Sequence, residues 1–233
     1  MQLPYFYERQ ILQGQTLLTL GEETSRHCIQ VLRMQEADQL ELTDGTGNLH
    51  TAAIAKADKR NMVVKITQSR FFSKPEKNIT IAISLLKNAS RFEWFLEKAT
   101  EIGVNRILPL RCTRTERQNF RSTRLQNILV AAMLQSRQVW LPFLGEPAAL
   151  LTTLQGDPNR QKMFAYCGEA NKNELQAIPV KEAATLYIGP EGDFTPEEME
   201  LAISHGAVPV SLGKNRLRSE TAGIVGATLL INR

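Results

Sequence analysis

Beyond residue 78, short apolar runs alternate with amphipathic helical repeats, and that rhythm restricts what the chain can fold into more than any other feature. ITIAISLL (Ile79 to Leu86) is an unbroken apolar run, and NRILPL, KMFAYC, LYI and AVPVSL repeat the theme. Between them Phe92, Phe95, Leu96 and Ala99 recur on one helical face, as do Leu125, Ile128, Leu129 and Ala132. Ser90 and Glu93 have capping-box spacing at the head of the first of these helices, and Gly103 stops it. Strands apolar throughout and separated by helices imply an α/β fold: a mainly parallel sheet covered by helices on both faces.

The first third reads differently. Leu40 and Leu42 alternate with polar neighbours before the hairpin signal Asp44-Gly45, and Met62, Val64 and Ile66 alternate again. One helix interrupts, with Cys28, Val31 and Leu32 spaced to share a face. Several short strands and one helix predict a small closed barrel, since closure removes exposed edges. SKPEKN (Ser73 to Asn78) is polar, contains proline and serves as linker. Two domains follow, 1–73 and 74–233.

With 42% hydrophobic and 22% charged residues among 233, the composition is that of an ordinary soluble chain. MQLPYFYERQ lacks the basic start and apolar run of a signal peptide, and no apolar stretch has membrane-spanning length. The expectation is a cytoplasmic protein. Cys28, Cys112 and Cys167 are scattered without metal-ligand spacing, so they are expected to be reduced and buried, with no metal site. Net charge is +1 over residues 1–74, +6 over 75–145 and −3 over 146–233. The middle excess comes from Arg106, Arg111, Arg114, Arg117, Arg121 and Arg124, with Glu116 between them. A run of this kind reads as a surface for a polyanion, or else as a solvated loop and helix face.

Candidate chemistry lies in two loops. Strand LYI opens into Gly189-Pro190-Glu191-Gly192, after which Thr195 caps a helix, Pro196 takes its first position and Glu198 completes a capping box. Ligands of open parallel sheets bind beyond the carboxyl ends of strands, where glycine lets backbone come close. The spacing matches neither of the common nucleotide-binding patterns, so this loop alone fits a plain turn as well as a site. The second loop follows Leu212-Gly213 and brings Arg216, Arg218 and Glu220 to the head of the last helix, where arginine opposes the helix dipole. Arg218 and Glu220 read either as functional groups or as a surface ion pair. Ala222, Gly223, Gly226 and Ala227 permit close backbone packing, within the chain or against a second subunit.

KNASRFEWFLEKATEIGV, IGPEGDF with TPEE, and SLGKNRLRSETA resemble the three motifs of the 16S ribosomal RNA uridine-N3 methyltransferases (the RsmE family), of the SPOUT class. RHCIQVLR resembles that family's N-terminal element, so the likeness spans both ends of the chain. Three departures stand out. Asp193 replaces the family's second glycine, MLQSRQVWLP keeps Gln135 but changes its neighbours, and NRLR keeps Arg218 while leaving the register of Arg216 open.

The resemblance implies an N-terminal PUA-like RNA-binding β-barrel and a C-terminal α/β domain with a deep trefoil knot that dimerises. It implies S-adenosylmethionine held by three loops, at Cys167, Gly168 and Glu169, at Gly189, Pro190, Glu191 and Gly192, and at Leu212, Gly213, Leu217 and Arg218. Arg218 would stabilise charge on the uracil, and Glu220 would act as base or orient an arginine. His27, Arg33, Arg114 and Arg117 would contact 16S ribosomal RNA or the small subunit. A different class of function, a non-catalytic RNA-binding or ribosome-assembly factor, would use the barrel and arginines but have no need of the glycine loops.

Overall fold

A computed structural model of the chain describes residues 2–12, 14–116, 119–156, 159–168 and 172–232. Two compact units emerge, one of Met1–Lys74 with Met133–Leu141, the other of Pro75–Ala132 with Pro142–Arg233.

The first unit contains β1 (Tyr5–Tyr7), β2 (Leu17–Thr19), α1 (Glu22–Arg26), β3 (Gln39–Thr43), β4 (Asn48–Lys56) and β5 (Val63–Phe71). Its sheet runs β1-β3-β4-β5-β2, with β1 parallel to β3 and the remaining pairs antiparallel. The expected closed barrel is instead a five-stranded sheet whose edges, β1 and β2, are only three residues long. Very short edge strands limit unwanted pairing without closure. Leu40, Leu42, Val64 and Met62 form its core with Cys28.

The helix expected over EETSRHCIQVLR is only half α-helical. After α1 it widens into a π-turn over His27–Val31, where Leu32 N–H donates to His27 O at 3.1 Å. That widening shifts the helical phase. Cys28 stays buried while Val31 and Leu32, expected beside it, face solvent.

Met133–Leu141 was expected within the second domain but packs with the first unit. Tyr5 Oη donates to Gln138 O at 2.8 Å, Trp140 Nε1 donates to Phe72 O at 3.1 Å, and Arg137 pairs with Glu41 at 3.0 Å. The altered MLQSRQVWLP segment thus serves as an extra wall of the small sheet. Arg137 anchors the segment a second time, its other nitrogen donating to Leu3 O.

The second unit holds β6 (Asn78–Ser84), α2 (Ala89–Ile102), β7 (Arg106–Arg111), most of α3 (Ser122–Gln135), β8 (Phe143–Leu144) and β9 (Ala148–Ala149). There follow α4 (Leu150–Gln155), β10 (Gln161–Ala165), β11 (Asn173–Glu174), β12 (Ala183–Ile188), α5 (Pro196–Ser204), β13 (Ala207–Ser211) and α6 (Ser219–Ile231). The sheet order is β11-β13-β10-β12-β6-β7-β8, with β9 also on β7, and each described pairing is parallel.

One face packs Ala82, Phe164 and Tyr187 against Leu150 and Leu154 of α4 and Met199 and Ala202 of α5. The other is covered by α2 and α6. A Cβ on Gly223 would lie 2.6 Å from the Phe95 ring, and one on Gly226 would run into Leu186. The small-residue face of α6 is therefore used inside the unit, against its own sheet. The expected Ser90–Glu93 capping box is absent. Asn88 caps α2 by accepting from Ser90 N–H at 2.8 Å, while Glu93 receives both Nε and Nη2 of Arg124. A bidentate arginine is a stronger partner for a carboxylate than one backbone amide.

Candidate cofactor site at the carboxyl ends of β10, β12 and β13

β10 lies between β12 and β13 and is parallel to both, so three adjacent strands end on the same rim. The chain leaves β12, forms α5 and returns as β13 on the far side of β10. Such a change of direction leaves a crevice at the carboxyl ends. A cavity of about 610 Å³ lies there. Its wall includes Cys167 from the first loop, Gly189, Pro190 and Glu191 from the second, and Leu212, Gly213, Leu217 and Arg218 from the third. Asp193, Arg216, Lys172 and Ala222 also line it. Gly168 and Gly192 do not, and Glu169 falls outside the described residues.

The second loop is a tight turn in which Asp193 N–H donates to Pro190 O at 2.9 Å. Asp193 has φ of +62°, a left-handed conformation that aspartate tolerates better than most residues. Its carboxylate then does what glycine could not. Oδ2 accepts Cys167 N–H at 2.9 Å and Oδ1 accepts Phe194 N–H at 2.9 Å, tying the first loop to the second. A Cβ on Gly189 would lie 3.0 Å from Cδ2 of Phe194, whose ring packs tilted on that of Phe164 with centroids 4.0 Å apart.

Gly192 answers to a different neighbour. An added Cβ would meet Cδ of Arg114 at 3.2 Å, and Arg114 Nη1 donates to Gly192 O at 2.6 Å. Behind the loop, Thr195 and Glu198 form the expected capping box. Glu198 Oε1 also accepts Thr113 N–H at 2.7 Å, fastening α5 to the loop after β7.

In the third loop Gly213 takes φ of +141°, and Arg218 stands exposed at the N-cap position of α6. Glu220 is turned inward and 7% exposed. Its Oε1 lies 3.6 Å from Arg91 Nε on α2, and among the described residues its buried Oε2 has no hydrogen-bond partner. Glu220 does not line the cavity. Arg91 was not singled out from the sequence, although it sits in SRFEW beside the helix head. Only the packing of α2 on α6 reveals it.

The remaining candidates are dispersed. His27 is exposed and meets Phe6 edge-on at 5.9 Å; Arg33 is exposed with φ of +56°. Arg114 is engaged at Gly192, Arg124 at Glu93, and Arg117 lies outside the described residues. Burial pushes the Cys28 thiol up to about 11 and the Cys112 thiol up to about 12. Cys167, expected to be buried, is exposed on the cavity wall, and its thiol is raised by desolvation and then by the Asp193 charge. Among the described residues no helix is long and apolar enough to cross a membrane.

Residues 73–231 match the family described as an RNA methyltransferase domain, and residues 20–67 match an RNA methyltransferase PUA domain. Ribosomal RNA small subunit methyltransferase E of a Synechocystis strain is 30% identical over 230 residues, which span 93% of this chain and 72% of that protein. A probable rRNA methyltransferase from Porphyromonas gingivalis has a crystal structure similar over 98% of each chain, at 36% identity and a TM-score of 0.91. Ribosomal RNA small subunit methyltransferase E from Neisseria gonorrhoeae, solved bound to S-adenosyl methionine, is 28% identical with a TM-score of 0.85, over 97% of this chain and 95% of that one.

Proposed function

Since this chain belongs to the RNA methyltransferase family, among the ribosomal RNA small subunit methyltransferases E, we propose that it methylates 16S ribosomal RNA at N3 of a uridine, using S-adenosylmethionine. The observation that carries this reading is the convergence of three loops on one cavity with Arg218 on its wall. The residues fit the cofactor. About 610 Å³ is within the usual size of a small-molecule site. Leu212 and Leu217 offer apolar surface to a nucleoside, Glu191 and Asp193 bring carboxylates toward the ligand's cationic groups, and Lys172 and Arg216 bring cations toward its carboxylate.

S-adenosylmethionine, when bound, supplies a methyl group activated by its sulfonium. The chain's own task is to align the uracil and manage its charge. As N3 gives up its proton to solvent water, negative charge spreads onto O2 and O4, and the Arg218 guanidinium stabilises it there. Glu220 is a positioning residue in this reading. Its ion pair with Arg91 and its place off the cavity wall favour that role over proton abstraction, because it fixes the first turn of α6 and so the backbone that presents Arg218. Asp193 and Arg114 hold the second loop in shape.

Residues 1–73, with 133–141 packed on them, form the PUA-like part that meets RNA through His27 and Arg33, and the rest of 74–233 binds cofactor, forms the trefoil knot and dimerises in the cytoplasm. Arg114 and Arg117 contact RNA as well. Support for a dimer comes from α6, which is apolar around its circumference and leaves Ile224, Val225 and Leu229 half-buried.

The test pairs calorimetry with S-adenosylmethionine with transfer of labelled methyl to small-subunit RNA, read as modified nucleosides by mass spectrometry. Binding together with 3-methyluridine is the expected result. Cofactor binding with a methyl group on another base, or no transfer at all, would overturn the assignment.

A further inference from the structure

At the opposite, amino ends of the same strands, four neighbours place a polar residue in one transverse row. Lys162 of β10 is in register with Thr185 of β12, Thr185 with Thr80 of β6, and Thr80 with Arg106 of β7. Residues in register on parallel strands project from the same face. The next row on that face, Phe164, Tyr187, Ala82 and Leu108, is the expected apolar core. Central strands of a parallel sheet are normally apolar throughout, so a polar row across four of them is out of place as packing.

The row forms one wall of a cavity of about 240 Å³, which Arg160 and the end of α4 complete. Lys162 is 8% exposed and donates from Nζ to His205 O at 3.2 Å. Thr80 is 1% exposed, and among the described residues neither its Oγ1 nor Arg106 Nε has a hydrogen-bond partner. The Arg106 guanidinium is held over the Phe143 ring at 5.2 Å, and Arg160 Nη1 is fixed on the carbonyls of Asn78 and Ala184. The wall thus carries three cations and, among the described residues, no acid.

Lysine and arginine can only donate, and the Thr80 hydroxyl is free to donate as well. Buried polar groups without partners are costly, and buried charge more so. What satisfies this set is a compact anion with several acceptor oxygens. Water would supply acceptors but no charge, and the volume is below that of most nucleoside-sized sites.

We propose that this cavity binds a phosphate dianion, either free or as the terminal phosphate of a small ester. Thr80, Arg106 and Lys162 supply the donors, and the site is separate from the one at the carboxyl ends.

The full-length protein is titrated with inorganic phosphate, and in parallel with uridine 5′-monophosphate and uridine, by calorimetry at constant ionic strength. Phosphate or the monophosphate binds, uridine does not, and Thr80→Val, a substitution of like shape, weakens binding about tenfold, as loss of one charge-assisted hydrogen bond should. Arg106→Gln has at least the same effect, and in both variants added anion raises the thermal unfolding temperature less than it does in the native protein. Binding of inorganic phosphate identifies the free ion as ligand, and binding of the monophosphate alone identifies the ester. No binding to the native protein, equal binding to Thr80→Val, or binding lost in Arg218→Ala but kept in Thr80→Val would each overturn the proposal.

Discussion

The carboxyl and amino ends of the second unit's sheet hold two cavities made by opposite means. At the carboxyl ends, backbone does most of the shaping. Gly189 passes under Phe194, Gly213 takes a left-handed turn, and Asp193 grips the Cys167 amide. At the amino ends the strands are regular, and the lining comes from the side chains of Thr80, Thr185, Lys162 and Arg106. A site built of backbone is sensitive to an added Cβ and to loop conformation. One built of side chains is sensitive to the loss of single polar atoms while its fold survives.

The largest effect expected is on chemistry at the carboxyl ends. Arg218→Ala should slow methyl transfer by roughly 10²–10³-fold, the usual consequence of losing one donor to developing charge. Cofactor affinity, read by calorimetry, should change far less. If rate and affinity fall together, Arg218 belongs to cofactor binding and the rim is less dependent on backbone than the comparison holds.

Gly189→Ala should come next. Its Cβ must displace the Phe194 ring, as overpacking that costs about 1–3 kcal/mol of stability in denaturant unfolding. Cofactor affinity should fall with it. Thr80→Val at the other end should leave unfolding in anion-free buffer unchanged or improved. Equal destabilisation by the two substitutions would erase the distinction between the ends.

Asp193 sharpens the contrast further. Asp193→Gly and Asp193→Ala both remove the acceptor for Cys167 N–H and should weaken cofactor binding several-fold, as loss of a hydrogen bond to a carboxylate does. Alanine should be the less stable of the pair by about 1 kcal/mol, because φ of +62° suits glycine better. If alanine matches glycine in thermal unfolding, the turn relaxes and its conformation is not what Asp193 maintains.

The smallest effect is a labelling difference. Cys167 is exposed on the cavity wall, whereas Cys28 and Cys112 are buried with thiols at about 11 and 12. Iodoacetamide should modify Cys167 alone in the folded protein. Because its thiol is raised, the rate should climb at a higher pH than for an unperturbed cysteine. Saturating S-adenosylmethionine should slow it. Undiminished labelling with cofactor bound would take Cys167 off the contact surface.

Features encoded within a few residues were legible in the sequence. The alternation of apolar runs with helical repeats predicts the parallel sheet, and Thr195-Pro196 with Glu198 predicts the head of α5. The glycine-bearing ends of LYI and AVPVSL mark two of the three loops around the larger cavity. Each is a matter of period, propensity or a hydrogen bond across three positions.

Other features depend on which distant segments meet. Ser90 and Glu93 have the spacing of a cap, yet Arg124, thirty-one residues on, takes the glutamate and Asn88 takes the cap. Gly223 and Gly226 announce close packing, but only the sheet beneath α6 says against what. Met133–Leu141 returns to the first unit through contacts with residues more than sixty positions away. Thr80, Arg106, Lys162 and Thr185 are unremarkable one at a time. They become a row only because β7, β6, β12 and β10 lie side by side in one register, and strand order is set by the tertiary packing of the helices between them, not by any period written in the chain.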